Sequence, residues 1–164
     1  MTFSYRQIEG QNRTFSSFEI VKQLGIKRET LRDWVKWSYI EPETKASGKG
    51  TKSVFSRQNL YEIGVFIHLI DIGIPRETAS SWVKEFRLVF ELTEKKSQTP
   101  QFLILTRTDG KWSLEIEEMY TVMGEENVQG DLLLPSLFLL PNVEDVHVVN
   151  VGRIMDQIDR IIDG

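Results

Sequence analysis

Arg28, Arg32 and Lys36 recur every four residues, so a helix that carries them presents three positive charges along one side. Leu31, Trp34 and Val35 are spaced i, i+3, i+4 and fall on a different side, as a core-facing stripe should. A helix with a hydrophobic back and a cationic front is what the major groove of a DNA duplex accepts. A basic face is also the ordinary finish of a solvated helix, so its neighbours in the chain must decide between the two.

A second cationic stretch follows. Residues 44–57 hold Lys45, Lys49, Lys52 and Arg57 and no acid. Glycines at 48 and 50 let the backbone turn tightly, and lysine pairs with phosphate. The order Gly48-Lys49-Gly50-Thr51-Lys52-Ser53 lacks the spacing of a nucleotide-binding loop, and no strand-then-helix frame surrounds it. Other chemistries find less support. The absence of cysteine excludes disulfides, thiolate metal sites and cysteine nucleophiles. His68 and His147 have no ligand-like spacing, so no metal or other cofactor is expected. Glu117-Glu118 and Glu125-Glu126 are adjacent acids with no histidine or nucleophile beside them. They read as solvated surface, and the chain reads as a non-enzyme.

The elements that must position these cations are legible. Ser16 followed by Glu19 has capping-box spacing and opens a short helix, Ser17 to Gln23, with Phe18, Ile20, Val21 and Leu24 as its apolar set. Gly25 is placed to stop that helix in a left-handed turn, and the basic helix follows over 27–37. Helix, glycine turn and second helix together make a helix-turn-helix. Pro42 ends the run, a polar loop leads to Val54-Phe55, and Ser56 caps a third helix over 57–72 with Leu60, Ile63, Phe66, Ile67 and Ile70 as a wide apolar band. Gly73 and Pro75 separate it from a fourth helix, about 75–90, burying Ala79, Trp82, Val83, Phe86 and Phe90.

At Phe15-Ser16, Ile20-Val21, Leu24-Gly25-Ile26 and Thr30-Leu31-Arg32-Asp33-Trp34 the chain resembles the MerR-type winged helix-turn-helix proteins. Tyr39-Ile40-Glu41-Pro42, Lys49-Gly50 through Val54-Phe55-Ser56, and Ile72-Gly73-Ile74-Pro75 are similar to that family's later landmarks, and the likeness covers roughly residues 14 to 87. The resemblance implies a β-hairpin wing over 44–55 lying on the DNA backbone beside the recognition helix. It implies base reading by Arg28, Glu29 and Arg32, with Thr30 and Lys36 at the margin. Backbone contacts would come from Lys49, Thr51 and Lys52 in the wing and from Ser16 and Ser17 at the first helix. The family generally continues into a long helix that pairs two subunits. Here Thr93 to Pro100 is polar and reads as a linker instead.

Beyond it the pattern changes. Phe102 to Thr106 and Lys111 to Glu117 flank Asp109-Gly110, a strong hairpin signal, with further strands expected at Leu132–Leu140 and Val146–Val151. Val151, Ile154, Met155, Ile158, Ile161 and Ile162 give a closing helix one apolar face, to dock on the sheet or on a partner subunit. Trp112 and Phe102 are the candidate aromatics for a small-molecule or protein effector. The expected fold is thus α+β: a flexible lead-in (1–13), in which Arg13 is a tail residue or a phosphate contact, a winged helix-turn-helix (14–92), and a small β-hairpin-containing module with an amphipathic helix (101–164).

The 164-residue chain carries a formal charge of −4, but the charge is unevenly spread. Residues 1–90 hold 14 Lys and Arg against 10 Asp and Glu, a balance of +4, and residues 91–164 hold 6 against 14, a balance of −8. With a Debye length of roughly 8 Å in physiological salt, a basic face works on a chain that is acidic elsewhere. No secretory leader or membrane span is visible, which predicts a cytoplasmic protein. The resulting expectation is a MerR-like transcriptional regulator that binds double-stranded DNA as a homodimer. An excisionase-like DNA-bending protein and a winged-helix protein-interaction module are the alternatives.

Overall fold

The computed structural model describes residues 13–48, 50–94, 102–117 and 142–164, with the side chains of Leu88–Glu94, Ile116 and Glu117 left aside. The lead-in before Arg13, Lys49, most of the linker, the strand expected at Leu132–Leu140, and Glu118, Glu125 and Glu126 lie outside the described residues, as does the side chain of Phe90. The order is β1 (Thr14–Ser16), α1 (Ser17–Leu24), α2 (Arg28–Lys36), β2 (Val54–Ser56), α3 (Arg57–Asp71), α4 (Arg76–Glu94), β3 (Phe102–Thr108), β4 (Lys111–Glu117), β5 (Val143–Asn150) and α5 (Val151–Asp163). The fold is α+β, as expected.

Local chemistry accounts for the boundaries. Ser16 and Glu19 form the reciprocal capping box at α1, and Gly25, at φ 64°, ends that helix in the left-handed conformation. Ser56 and Asn59 repeat the box at α3. The exits of α2 and α3 are the same turn. Ser38 N–H donates to Val35 O and Tyr39 N–H to Trp34 O, while Gly73 N–H donates to Ile70 O and Ile74 N–H to Leu69 O. The left-handed position is filled by Gly73 (φ 93°) in one and by Ser38 (φ 56°) in the other. Helix α4 runs to Glu94, past the expected end near 90, because no glycine or proline interrupts the chain before Pro100.

Helix α3 is the centre of the molecule. Leu60, Tyr61, Ile63, Val65, Phe66 and Leu69 are all buried. They meet α4 on one side and α5 on another, and Trp34 of α2 stacks edge-on against Phe66 with ring centres 5.0 Å apart. Two departures from the sequence reading concern apolar residues. Phe18 is 75% exposed, because it sits two residues before Ile20 and so faces away from the Ile20, Val21 and Leu24 side of α1. The closing helix α5 docks chiefly on α3 rather than on the sheet alone, with smaller contacts to α1 and β3. Gly64 explains this, since a Cβ there would stand 2.5 Å from Ile158 Cδ1 and 3.0 Å from Ile154 Cγ2. The bare backbone makes a notch for the two isoleucines.

The distal strands form an antiparallel sheet in the order β4-β3-β5. Asp109 and Gly110, with φ of 50° and 72°, make the tight two-residue turn that the sequence announced. Leu103, Leu105 and Val149 face the common hydrophobic core from this sheet. Asn150 caps α5 by accepting from Arg153 N–H at 2.8 Å. No described helix is long and apolar enough to cross a membrane.

Candidate nucleic-acid interface

Leu31 and Trp34 fix the orientation of α2 by burying its back, and Val35 packs partly beside them. The opposite side is thereby turned outward. Arg28, Glu29, Arg32 and Lys36 are all exposed, and Thr30 is half-buried. Arg32 pairs with its neighbour Asp33 at 3.5 Å, with side chains 71% and 53% exposed. Such a pair is worth at most about 1 kcal/mol and yields readily to a phosphate or a base edge. Arg28 and Lys36 have no carboxylate partner among the described residues, and Lys36 Nζ lies 5.4 Å over the ring of Trp37.

The exit of α2 is held from behind. Tyr39 stacks on Phe66, its hydroxyl donates to Glu77 at 2.6 Å, and its carbonyl accepts from Ser80 Oγ at 3.0 Å. The hydrogen bond to Glu77 raises the pKa of Tyr39 and lowers that of Glu77, so the phenol keeps its proton and the carboxylate its charge. Lys84 adds an ion pair to Glu41 at 3.2 Å. Both contacts tie the segment after α2 to α4.

The loop beside α2 is a minimal wing. Thr44 and Val54 exchange both backbone hydrogen bonds in a single bridge, 3.1 and 2.9 Å, where a longer hairpin ladder was expected. β2 pairs instead with β1, a strand the sequence did not announce because Thr14-Phe15-Ser16 is too short to show alternation. At the tip, Thr51 Oγ1 accepts from Ser47 N–H and Gly48 N–H and donates to Gly48 O, so this hydroxyl shapes the loop. Lys45 and Lys52 are exposed on it.

Ser16 and Ser17 are half-buried at the start of α1. The Ser16 hydroxyl is engaged in the capping box, donating to Glu19 Oε2 at 2.8 Å, and its bonds hold the Glu19 carboxyl below the usual range. Asn59, fully buried, secures the entry to the wing. Its Oδ1 accepts from Glu43 N–H (3.0 Å) and Ser56 N–H (3.1 Å), and its Nδ2 donates to Glu41 O (3.0 Å) and Glu62 Oε2 (3.1 Å). The sequence reading missed this residue, although an asparagine three positions after a capping serine is a detectable signal. It also missed Trp37, 64% exposed beside Lys36. Arg13 is anchored to the fold rather than trailing as a loose tail residue. Its Nη1 donates to Ile162 O at 2.8 Å, and its guanidinium lies 5.0 Å over the Phe15 ring.

Among the described residues no group of three or more acids or histidines could hold a metal ion. The arrangement offers an outward cationic helix, a short basic loop, and rigid supports behind both. No curated protein matches the chain. The family model for MerR helix-turn-helix regulatory proteins matches residues 15–95, from β1 through α4. That match takes in the cationic helix, the loop beside it and the two helices that back them, and it identifies residues 15–95 as a helix-turn-helix domain of the MerR regulatory type.

Proposed function

We propose that this protein is a sequence-specific transcriptional regulator that binds double-stranded DNA as a homodimer, with α2 in the major groove and the loop over 44–55 along the backbone. The match of residues 15–95 to the MerR helix-turn-helix regulatory family supports the class. The observation that carries the finer reading is the outward face of α2, where Arg28, Arg32 and Lys36 stand exposed while Leu31 and Trp34 are buried behind them. In this reading Arg28, Glu29 and Arg32 read base edges, with Thr30 and Lys36 at the margin. Lys49, Lys52 and Ser17 meet phosphates, and Ser16 and Thr51 hold α1 and the wing tip in shape. The β-rich module with α5 serves dimerisation or effector response, and no catalysis is part of the assignment.

Two subunits are required on energetic grounds. A good bidentate arginine–guanine contact supplies about 1–3 kcal/mol of discrimination, and one subunit offers few of them. Selection of bound sites from random duplex DNA tests the proposal, with an inverted repeat as the expected result. Arg28→Ala with Arg32→Ala should abolish preference for that site. Lys52→Ala should instead weaken every duplex alike. If the dimer contacts about 6–8 phosphates, affinity should fall with salt on a log–log slope of roughly −5 to −7. Failure to enrich any duplex would leave a protein-interaction module as the standing alternative.

A further inference from the structure

Two arginines bracket the small sheet from which the wing springs. Arg13 immediately precedes β1 and Arg57 immediately follows β2, and the ladder between them pairs Thr14 with Ser56. The two cations therefore sit at the same end of the ladder, where like charges repel. The last turn of α5 meets both. Ile162 O accepts from Arg13 Nη1 at 2.8 Å, Asp159 Oδ1 accepts from Arg57 Nη1 at 3.1 Å, and both Asp163 oxygens accept from Arg57 Nη2 at 2.6 and 2.8 Å. Tyr61 donates its hydroxyl to the same Asp159 oxygen at 2.6 Å. A helix C-terminus carries partial negative charge, so its backbone and its two aspartates act together on the arginine pair. The Arg57 side chain is only 17% exposed, and a guanidinium so enclosed needs these partners.

At the opposite end of the ladder, Val54 bridges Thr44 and the loop carrying Lys45 and Lys52 extends outward. A pairing of three residues with three is too short to hold a direction by itself. We propose that the last turn of α5 is a positioning element for DNA binding, which grips the wing at its root through Arg13 and Arg57 and so sets where the wing lysines lie. Asp159 and Asp163 are its positioning residues. They act through Arg57 and touch no DNA themselves. The inference rests on the reading of this loop as a backbone-contacting wing.

The test uses the full chain and the duplex recovered by selection, and combines Asp159→Asn/Asp163→Asn with Lys52→Ala. In the parent, Lys52→Ala weakens binding by itself. In the anchor-deficient background affinity should already be down about tenfold with a shallower salt slope, and Lys52→Ala should then add nothing, because the lysine no longer reaches phosphate. The exchange Arg57→Asp/Asp163→Arg should restore binding toward the parent, which it would not do if Arg57 itself met the DNA. Should the double variant fail to fold, Asp163→Asn alone is compared, since it leaves the Asp159 contact in place and should give a partial version of the same loss. Parent-like affinity in the anchor variants, or an undiminished Lys52→Ala effect within them, overturns the inference while leaving the DNA-binding assignment intact. A parent chain that binds no duplex overturns both.

Discussion

Asn59 has one side chain and four hydrogen bonds, and they reach three stretches of chain: the segment entering the wing, the cap of α3, and Glu62 within α3. Replacing it by alanine removes the partner of two backbone N–H groups and a carbonyl in a partly buried place and empties a fully buried side-chain site. Asn59→Ala should therefore destabilise the protein by about 2–4 kcal/mol, read from denaturant unfolding. Exposed cations behave oppositely. Arg28, Arg32 and Lys36 support no internal contact of consequence, so their loss should leave unfolding curves almost unmoved while changing duplex preference. That contrast also marks what a sequence can disclose. The cations of α2 were legible because helical period alone sorts Leu31 and Trp34 from Arg28 and Arg32. Arg13 and Arg57 were not, because their partners Ile162, Asp159 and Asp163 lie 102 or more positions away and no local pattern joins them.

At the level of elements, caps and turns carried most of the readable information. Ser16 with Glu19, Gly25, Gly73 and Asp109-Gly110 each fixed a boundary through a backbone rule that needs no tertiary context. β1 escaped because three residues cannot display a period, and the single-bridge wing escaped because pairing with β1 takes over what a hairpin ladder would do. Docking of α5 on α3 escaped because a glycine inside a helix reads as a weakness rather than as a receptor for Ile154 and Ile158. The twin turns that end α2 and α3 give a direct comparison. Ser38→Gly should stabilise the protein by about 0.5–1 kcal/mol in thermal unfolding, since it relieves a side chain held at positive φ. Gly73→Ala should cost about 1 kcal/mol for the converse reason.

For the molecule as a whole, the helix-turn-helix half and the C-terminal helix share one hydrophobic core. Ile158 and Ile162 of α5 belong to the same buried cluster as Leu60, Ile63 and Phe66 of α3. A fragment limited to residues 13–95 would uncover that side of α3. It should unfold at lower denaturant than the full chain and bind dye that reports exposed apolar surface, whereas an independent head would match the full chain in its own transition. The charge division seen in the sequence fits this arrangement. Acidic Asp159 and Asp163 meet Arg57 at the root of the loop, leaving Lys45, Lys52 and the arginines of α2 exposed.

Arg57 and Asp163 lie 106 positions apart, and that distance bears on how the protein comes into being. During synthesis the helix-turn-helix leaves the ribosome long before the helix that completes its rear wall, so for that interval the nascent head stands open along α3. Contacts of such long sequence separation form late and slowly. The grip on Arg57 is thereby deferred until the final turn of α5 has closed.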